Sequence, residues 1–137
     1  MSKVSVIIPS RSPQYLKQTV NAAFAKAEGV VEVVVVLDGR WPEPNEMPED
    51  NPYLIIIHHG VIHDNYGMRA SINAGVVIST GDYLLVLDEQ CDLDQGYDLK
   101  LAADCEDDWV VIPRRWRLNA ETWTLTHETD GDKRPPV

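Results

Sequence analysis

Val30-Val31-Glu32-Val33-Val34-Val35-Val36-Leu37, running straight into Asp38-Gly39, decides the fold. The run is nearly all valine and lacks the alternation of a strand with one wet face. Such a run suits burial on both faces, as in a parallel sheet covered by helices. Residues 4–8, 54–57 and 83–87 are shorter apolar runs and read as strands as well. Helical spacing fills the gaps between them. Ser12 is placed to cap a helix with Pro13 at its first position, and Leu16, Val20, Ala23, Phe24 and Ala27 share one face before Gly29 closes it. Asp64 or Asn65 is placed to cap a second helix over residues 66–79, with Met68, Ile72 and Val76 as its buried stripe and Ala70, Ala74 and Val77 beside it. Gly67 and Gly75 weaken that helix, so an irregular start is expected. A third helix is expected over residues 97–105 with Leu99, Leu101 and Ala102 inward, a fifth strand over 109–112 and a last one over 122–126. Strands alternating with helices predict an α/β fold with a mostly parallel twisted sheet flanked by helices. Residues 1–126 form one domain in this reading, and residues 127–137 a polar tail.

In such a sheet ligands bind outside the carboxyl ends of the strands. Those ends read Ser10-Arg11, Asp38-Gly39, His58-His59 and Asp88-Glu89-Gln90. The last of them opens an acidic loop. From Asp82 to Asp98 there are six carboxylates (Asp82, Asp88, Glu89, Asp92, Asp94 and Asp98) and no Lys or Arg. Crowded carboxylates repel and call for solvent, protonation or a cation. Mg²⁺ often bridges one or two carboxylates to substrate phosphates. A solvated acidic loop is the plainer alternative.

Composition narrows the classes. The chain of 137 residues, 44% hydrophobic and 25% charged, is that of a soluble globular domain with a core of its own. A net charge of −10 argues against a nucleic-acid backbone or an anionic membrane as the main partner. Two cysteines, Cys91 and Cys105, make no CxxC pair, so a reducing, cytoplasmic setting is expected. No apolar run is long enough to span a membrane, and Pro9 interrupts the start too early for a signal peptide.

Individual residues carry two readings each. Asp88 follows directly on a buried strand and suits a metal or phosphate-linked role. The Asp38 carboxylate suits the imide of a uracil or the amine of another base, or else a plain Asp-Gly turn. Arg69, near the start of the second helix, and Arg11 suit phosphate or are surface arginines. His58, His59, His63 and His127 form no HExxH pair; only His127, late in the chain, has a placement that would let it fold back over the acidic loop. Arg114 to Arg117, with Trp116 and Trp123, suit a lid or, more simply, a β-hairpin with cross-strand aromatic packing.

Val4-Ser5-Val6-Ile7-Ile8-Pro9, Val33 to Gly39, Asn73-Ala74-Gly75 and Ser79-Thr80-Gly81-Asp82-Tyr83-Leu84-Leu85-Val86-Leu87-Asp88 occur in an order that resembles the family-2 type of GT-A glycosyltransferases. Leu87-Asp88-Glu89-Gln90-Cys91-Asp92 also resembles the metal loop of the polypeptide N-acetylgalactosaminyltransferases. The resemblance implies a Rossmann-like nucleotide-diphospho-sugar transferase fold, a nucleotide-sugar donor, a UDP-sugar for preference, and Mn²⁺ or Mg²⁺. It assigns the nucleoside to Pro9, Ser10, Arg11 and Asp38, and the ribose and metal–diphosphate to the Asp88 loop with Glu89. Gln90 stands where the family has a second aspartate; with His127 it completes the implied metal set. Arg69 joins the donor site as a phosphate contact. The family's catalytic acid and its Gln-x-x-Arg-Trp motif are both missing, and Arg114-Arg115-Trp116 is not that motif, so the catalytic residue, the acceptor and the stereochemical course are unassigned. Two alternatives stand beside a metal-dependent glycosyltransferase. One is a non-catalytic nucleotide-sugar-binding module or donor half that needs a partner. The other is a nucleotidyltransferase, disfavoured because no glycine-rich phosphate loop with a lysine is present. The oligomeric state is open, a homo-oligomer included.

Overall fold

In the computed structural model, which describes residues 2–61 and 64–126, the valine run is the second strand of a four-stranded parallel sheet. The strands are β1 (Lys3–Ser10), β2 (Val30–Asp38), β3 (Leu54–His59) and β4 (Tyr83–Val86), in the order β3-β2-β1-β4. The helices are α1 (Leu16–Ala25), α2 (Met68–Ile78) and α3 (Tyr97–Asp104). A hairpin of β5 (Arg117–Asn119) and β6 (Thr124–Thr126) follows. The α/β expectation holds. No described helix is long and apolar enough to cross a membrane.

Both faces of the sheet are covered, which explains why β2 shows no alternation. On one face Val4, Val6, Ile8, Val31, Val33, Val35 and Leu37 pack with Leu16, Val20 and Ala23 of α1 and with Tyr97 of α3. On the other, Ile7, Val34 and Val36 pack with Ile55, Ile57 and Ala74. Each such fully buried aliphatic side chain contributes about 1.5–3 kcal/mol. The Tyr97 hydroxyl donates to the carbonyl of Ala23, tying α3 to α1.

A polar clamp closes the amino end of the sheet. Glu32 sits inside the valine strand with its side chain 5% exposed. It accepts hydrogen bonds from the Ser5 hydroxyl at 2.5 Å and from the Thr80 N–H at 2.6 Å, and the Lys3 ammonium lies 3.1 Å away. The Thr80 hydroxyl bonds it as well. Burial alone raises the pKa of this carboxyl, but these donors outweigh it and bring it down to about 2. One acid thus joins β1, β2 and the turn that leads into β4.

Three local expectations are corrected. The buried stripe of α2 is Ser71 and Gly75, with Ile72 and Ala74 half-buried, while Met68 and Val76 are exposed and Val77 is 84% exposed. The cause is close packing through a glycine. A Cβ on Gly75 would lie 2.7 Å from Cγ2 of Ile7 and 3.2 Å from Cγ2 of Val36. The helix therefore rests on its small residues, and its larger apolar ones turn outward. Gly75→Ala is expected to lower stability by about 1 kcal/mol or more, since overpacking against the fully buried Ile7 exceeds alanine's helix advantage of about 1 kcal/mol. Urea unfolding checks this; an unchanged or raised midpoint would contradict the close approach.

The fifth strand over residues 109–112 does not form, and the segment makes no ladder. Trp109, Val110 and Val111 instead border a groove with Tyr83, Leu85 and Leu101, and Val110 is 90% exposed. β-propensity without a partner strand does not make a strand. β4 is consequently an edge, with Leu84 and Val86 about half exposed. Finally, neither Ser12 nor Asp64 nor Asn65 caps a helix through its side chain. A 3₁₀ turn (Pro13–Tyr15) precedes α1, and Gly67, at φ 96°, occupies the N-cap of α2.

Candidate functional site

All four parallel strands end at one rim. Ser10 of β1 pairs with Leu37 of β2, Asp38 of β2 pairs with His59 of β3, and Ile7 of β1 pairs with Val86 of β4, just before Asp88. Only β1 separates the strands that deliver Asp38 and Asp88. At about 4.8 Å per strand spacing, those positions lie on the order of 10 Å apart.

Between the ends of β1 and β2 is a cavity of about 270 Å³ lined by Arg11, Ser12, Asp38, Gly39, Arg40 and Asn65. Asp38 is buried, and its two oxygens accept the N–H groups of Tyr66 at 2.7 Å and Gly67 at 2.8 Å. It thereby ties the two residues that lead into α2 to the end of β2. Each carboxylate oxygen keeps a further lone pair for a ligand. Gly39, at φ 77°, lets the chain turn here, because a Cβ would meet the Asp64 carbonyl oxygen at 2.9 Å. Arg11 and Arg40 are exposed, and among the described residues neither forms an ion pair. Two guanidinium groups without an ion pair at one cavity, in a chain of net charge −10, suit an anion.

The acidic loop is less crowded than its sequence implies. Asp82 accepts the Lys3 N–H, Asp92 pairs with Lys26 at 3.0 Å, Asp94 pairs with Lys100, and Asp98 accepts the N–H groups of Glu28 and Gly29. Glu89 turns inward, and its carboxylate receives the Ser10 hydroxyl and the N–H groups of Arg11 and Ser12. Burial, and to a lesser degree Asp88, push its pKa up against the pull of those donors. Burial and Asp88 also raise the Cys91 thiol, which stays protonated near neutral pH and is unsuited to nucleophilic attack. Asp88 and Gln90 are exposed on either side of Glu89, and the Asp88 carboxylate alone of the six has no hydrogen-bond or ion-pair partner among the described residues.

Of the residues expected from the sequence, Arg11 and Asp38 line the cavity, and Ser10 and Glu89 bind each other beneath it. Pro9 is buried at the end of β1, and Arg69 is exposed in the first turn of α2, outside the cavity lining. His127 and His63 lie outside the described residues. Among those described, no group of three His, Cys, Asp or Glu is placed to hold a metal. His58 packs edge-on against Trp41, and His59 against Tyr66, with Ser71 3.4 Å from its ring nitrogen. A hairpin forms as the simpler reading held, but only over residues 117–126; Arg114 to Trp116 precede it, Arg114 lies over Trp116, and Trp123 faces Tyr15 of the 3₁₀ turn in place of a cross-strand aromatic pair. Arg40, Asn65 and Ser12 were missed as lining residues. Arg40 carried a usable signal, following Asp38-Gly39 at a strand end.

Comparison with known proteins places this geometry in context. The family model for glycosyl transferase family 2 matches residues 5–135. No curated protein sequence matches. Among solved structures, S. aureus TarS 1-349 is similar at a TM-score of 0.55 and 23% identity, covering 74% of this chain and 31% of that one. The same fragment in complex with UDP-GlcNAc gives 0.56 and 23%, covering 74% and 30%. The chain thus spans under a third of those structures, and the likeness is one of fold, the GT-A arrangement of a parallel sheet between helices.

Proposed function

Since the chain belongs to glycosyl transferase family 2, we propose that it binds a nucleotide-sugar donor, a UDP-sugar, and serves in transferring the sugar to an acceptor. One observation carries the proposal: Arg11 and Arg40 meet Asp38 at a cavity on the strand-end rim that also bears Asp88. Family membership and the UDP-GlcNAc held by the similar TarS fragment support the same ligand class.

Residue by residue, the roles follow from charge and placement. The cavity is near the lower end of the roughly 300–1,000 Å³ of ligand pockets, so it takes the nucleoside part and leaves the sugar outward. Asp38 offers its remaining lone pairs to the base and keeps the loop before α2 in place. Arg11 and Arg40 offset the charge of the diphosphate, and Arg69 is a further phosphate contact from the α2 end. Stabilisation that grows as the leaving diphosphate gains charge speeds transfer.

The donor set on the rim suits Mn²⁺ or Mg²⁺ only through Asp88 and Gln90, both exposed there. Asp88 would hold the cation through a carboxylate oxygen and Gln90 through an uncharged amide oxygen, leaving its other positions to phosphate and water. When bound, it supplies Lewis-acid stabilisation of the leaving group. A reducing, cytoplasmic setting belongs to the same proposal, with Cys91 and Cys105 both free.

Calorimetric titration with UDP, with and without Mn²⁺, tests the proposal. Binding that tightens with Mn²⁺ is expected, and absence of binding in both titrations would reject it. A second reading, a donor-binding half acting with a partner chain, is favoured by the bare apolar edge at Leu84 and Val86. It predicts UDP binding without any hydrolysis or transfer of a UDP-sugar by this chain alone.

A further inference from the structure

We propose that Glu89 is a positioning residue that locks the Arg11 side of the rim to the Asp88 side, so that the two ends of a nucleoside diphosphate are held by one rigid unit. The proposal rests on the donor binding argued above. Its basis is the direction in which Glu89 points. Asp88 and Gln90 are exposed, whereas Glu89 between them is drawn inward. Its Oε2 accepts the Ser10 hydroxyl at 2.5 Å and the Arg11 N–H at 3.1 Å, and the Ser12 N–H lies 3.0 and 3.1 Å from its two oxygens. Arg11 and Ser12 line the cavity. A carboxylate whose acceptor sites face three consecutive residues at the end of β1 and just after it is committed to that segment and not to a ligand.

The other side of the acidic loop is held as firmly. The Thr19 hydroxyl of α1, fully buried, donates to the Glu89 carbonyl at 2.8 Å and accepts the Cys91 N–H at 3.1 Å. The backbone on both flanks of Gln90 is therefore fixed to α1. The Leu87 N–H, bound to the Ile7 carbonyl at 2.9 Å, fixes the approach from β4. Neither residues 10–12 nor residues 88–91 can shift without breaking bonds that hold the other. This is preorganisation by a supporting shell: Asp88 and Arg11 keep their spacing before the ligand arrives. A carboxylate of this length offers two acceptor oxygens to the three donors. The glutamine amide has one oxygen and places an NH₂ against a donor.

Glu89→Gln and Ser10→Ala test it through UDP affinity with Mn²⁺, backbone amide exchange and Tm. In Glu89→Gln, exchange at Arg11 and Ser12 is expected to rise at least about 10-fold while residues 33–36 stay protected. UDP affinity should fall about 10-fold, as for a support of a binding group. Ser10→Ala keeps both N–H bonds and should show the same two changes at smaller size. Exchange raised with UDP affinity intact would overturn the coupling, and so would unchanged exchange in both variants. A wild-type protein that does not bind UDP would overturn the donor proposal itself, whereas intact binding in Glu89→Gln overturns the coupling alone. Should Glu89→Gln fail to fold, unchanged exchange and affinity in Ser10→Ala would be enough to reject the coupling.

Discussion

Asp88→Ala is expected to weaken UDP binding in the presence of Mn²⁺ by about 100-fold, from the loss of a charge-assisted interaction worth roughly 1.5–3 kcal/mol, while the fold stays intact. Both halves of this expectation come from the same fact. Asp88 is exposed and its carboxylate has no partner among the described residues, so its removal changes stability by no more than about 0.5 kcal/mol. A carboxylate left free at a strand end serves whatever arrives there. Without Mn²⁺ the variant and wild type should differ little, because the loss acts through the cation. Calorimetry in the two conditions, with a urea melt beside it, separates these terms. Equal affinity of wild type and variant in Mn²⁺ would remove Asp88 from the site.

The largest stability effect is expected at the opposite end of the sheet. Glu32→Ala should cost about 3–5 kcal/mol, the penalty for breaking a buried charge pair. The substitution strips the Ser5 hydroxyl, the Thr80 N–H and the Lys3 ammonium of their common acceptor. That is a large share of a total near 5–15 kcal/mol. The acid also gives stability a pH signature. Its folded pKa of about 2 lies below the ordinary 4.5. Stability from this group is therefore fully present above pH 4.5 and is lost as pH falls toward 2. The difference corresponds to about 3 kcal/mol at roughly 1.36 kcal/mol per unit. The gap in unfolding free energy between wild type and Glu32→Gln should narrow across that window. A constant gap from pH 6 to pH 2.5 would contradict the clamp.

The sheet was legible because its signal is physical and local. Strands buried on both faces are rich in β-branched residues, as the runs around Val6 and Val34 are, and the apolar runs around Ile56 and Leu85 became strands beside them. The rim followed, since parallel strands put their carboxyl ends together. Tertiary choices were not legible. Which face of α2 turns inward depends on Gly75 meeting Ile7, and amphipathic spacing favoured the larger residues. Residues 109–112 have strand composition but no neighbour with which to pair. The crowding of the acidic loop dissolved because Lys26 and Lys100 come to Asp92 and Asp94 from outside the stretch, and backbone N–H groups take Asp82, Glu89 and Asp98. Glu32 did carry a signal, a lone acid in a valine run that only buried partners make tolerable. The inward turn of Glu89 carried none, since adjacent acids look alike until backbone N–H groups select one.

The most direct test of a rim that grips a nucleoside diphosphate is an amide chemical-shift map of the ¹⁵N-labelled chain titrated with UDP and Mg²⁺. The account predicts the largest shifts at Arg11, Ser12, Gly39, Arg40 and residues 88–90, from strands far apart in sequence. Shifts confined to the groove beside β4 and α3, or none at saturating UDP, would contradict it.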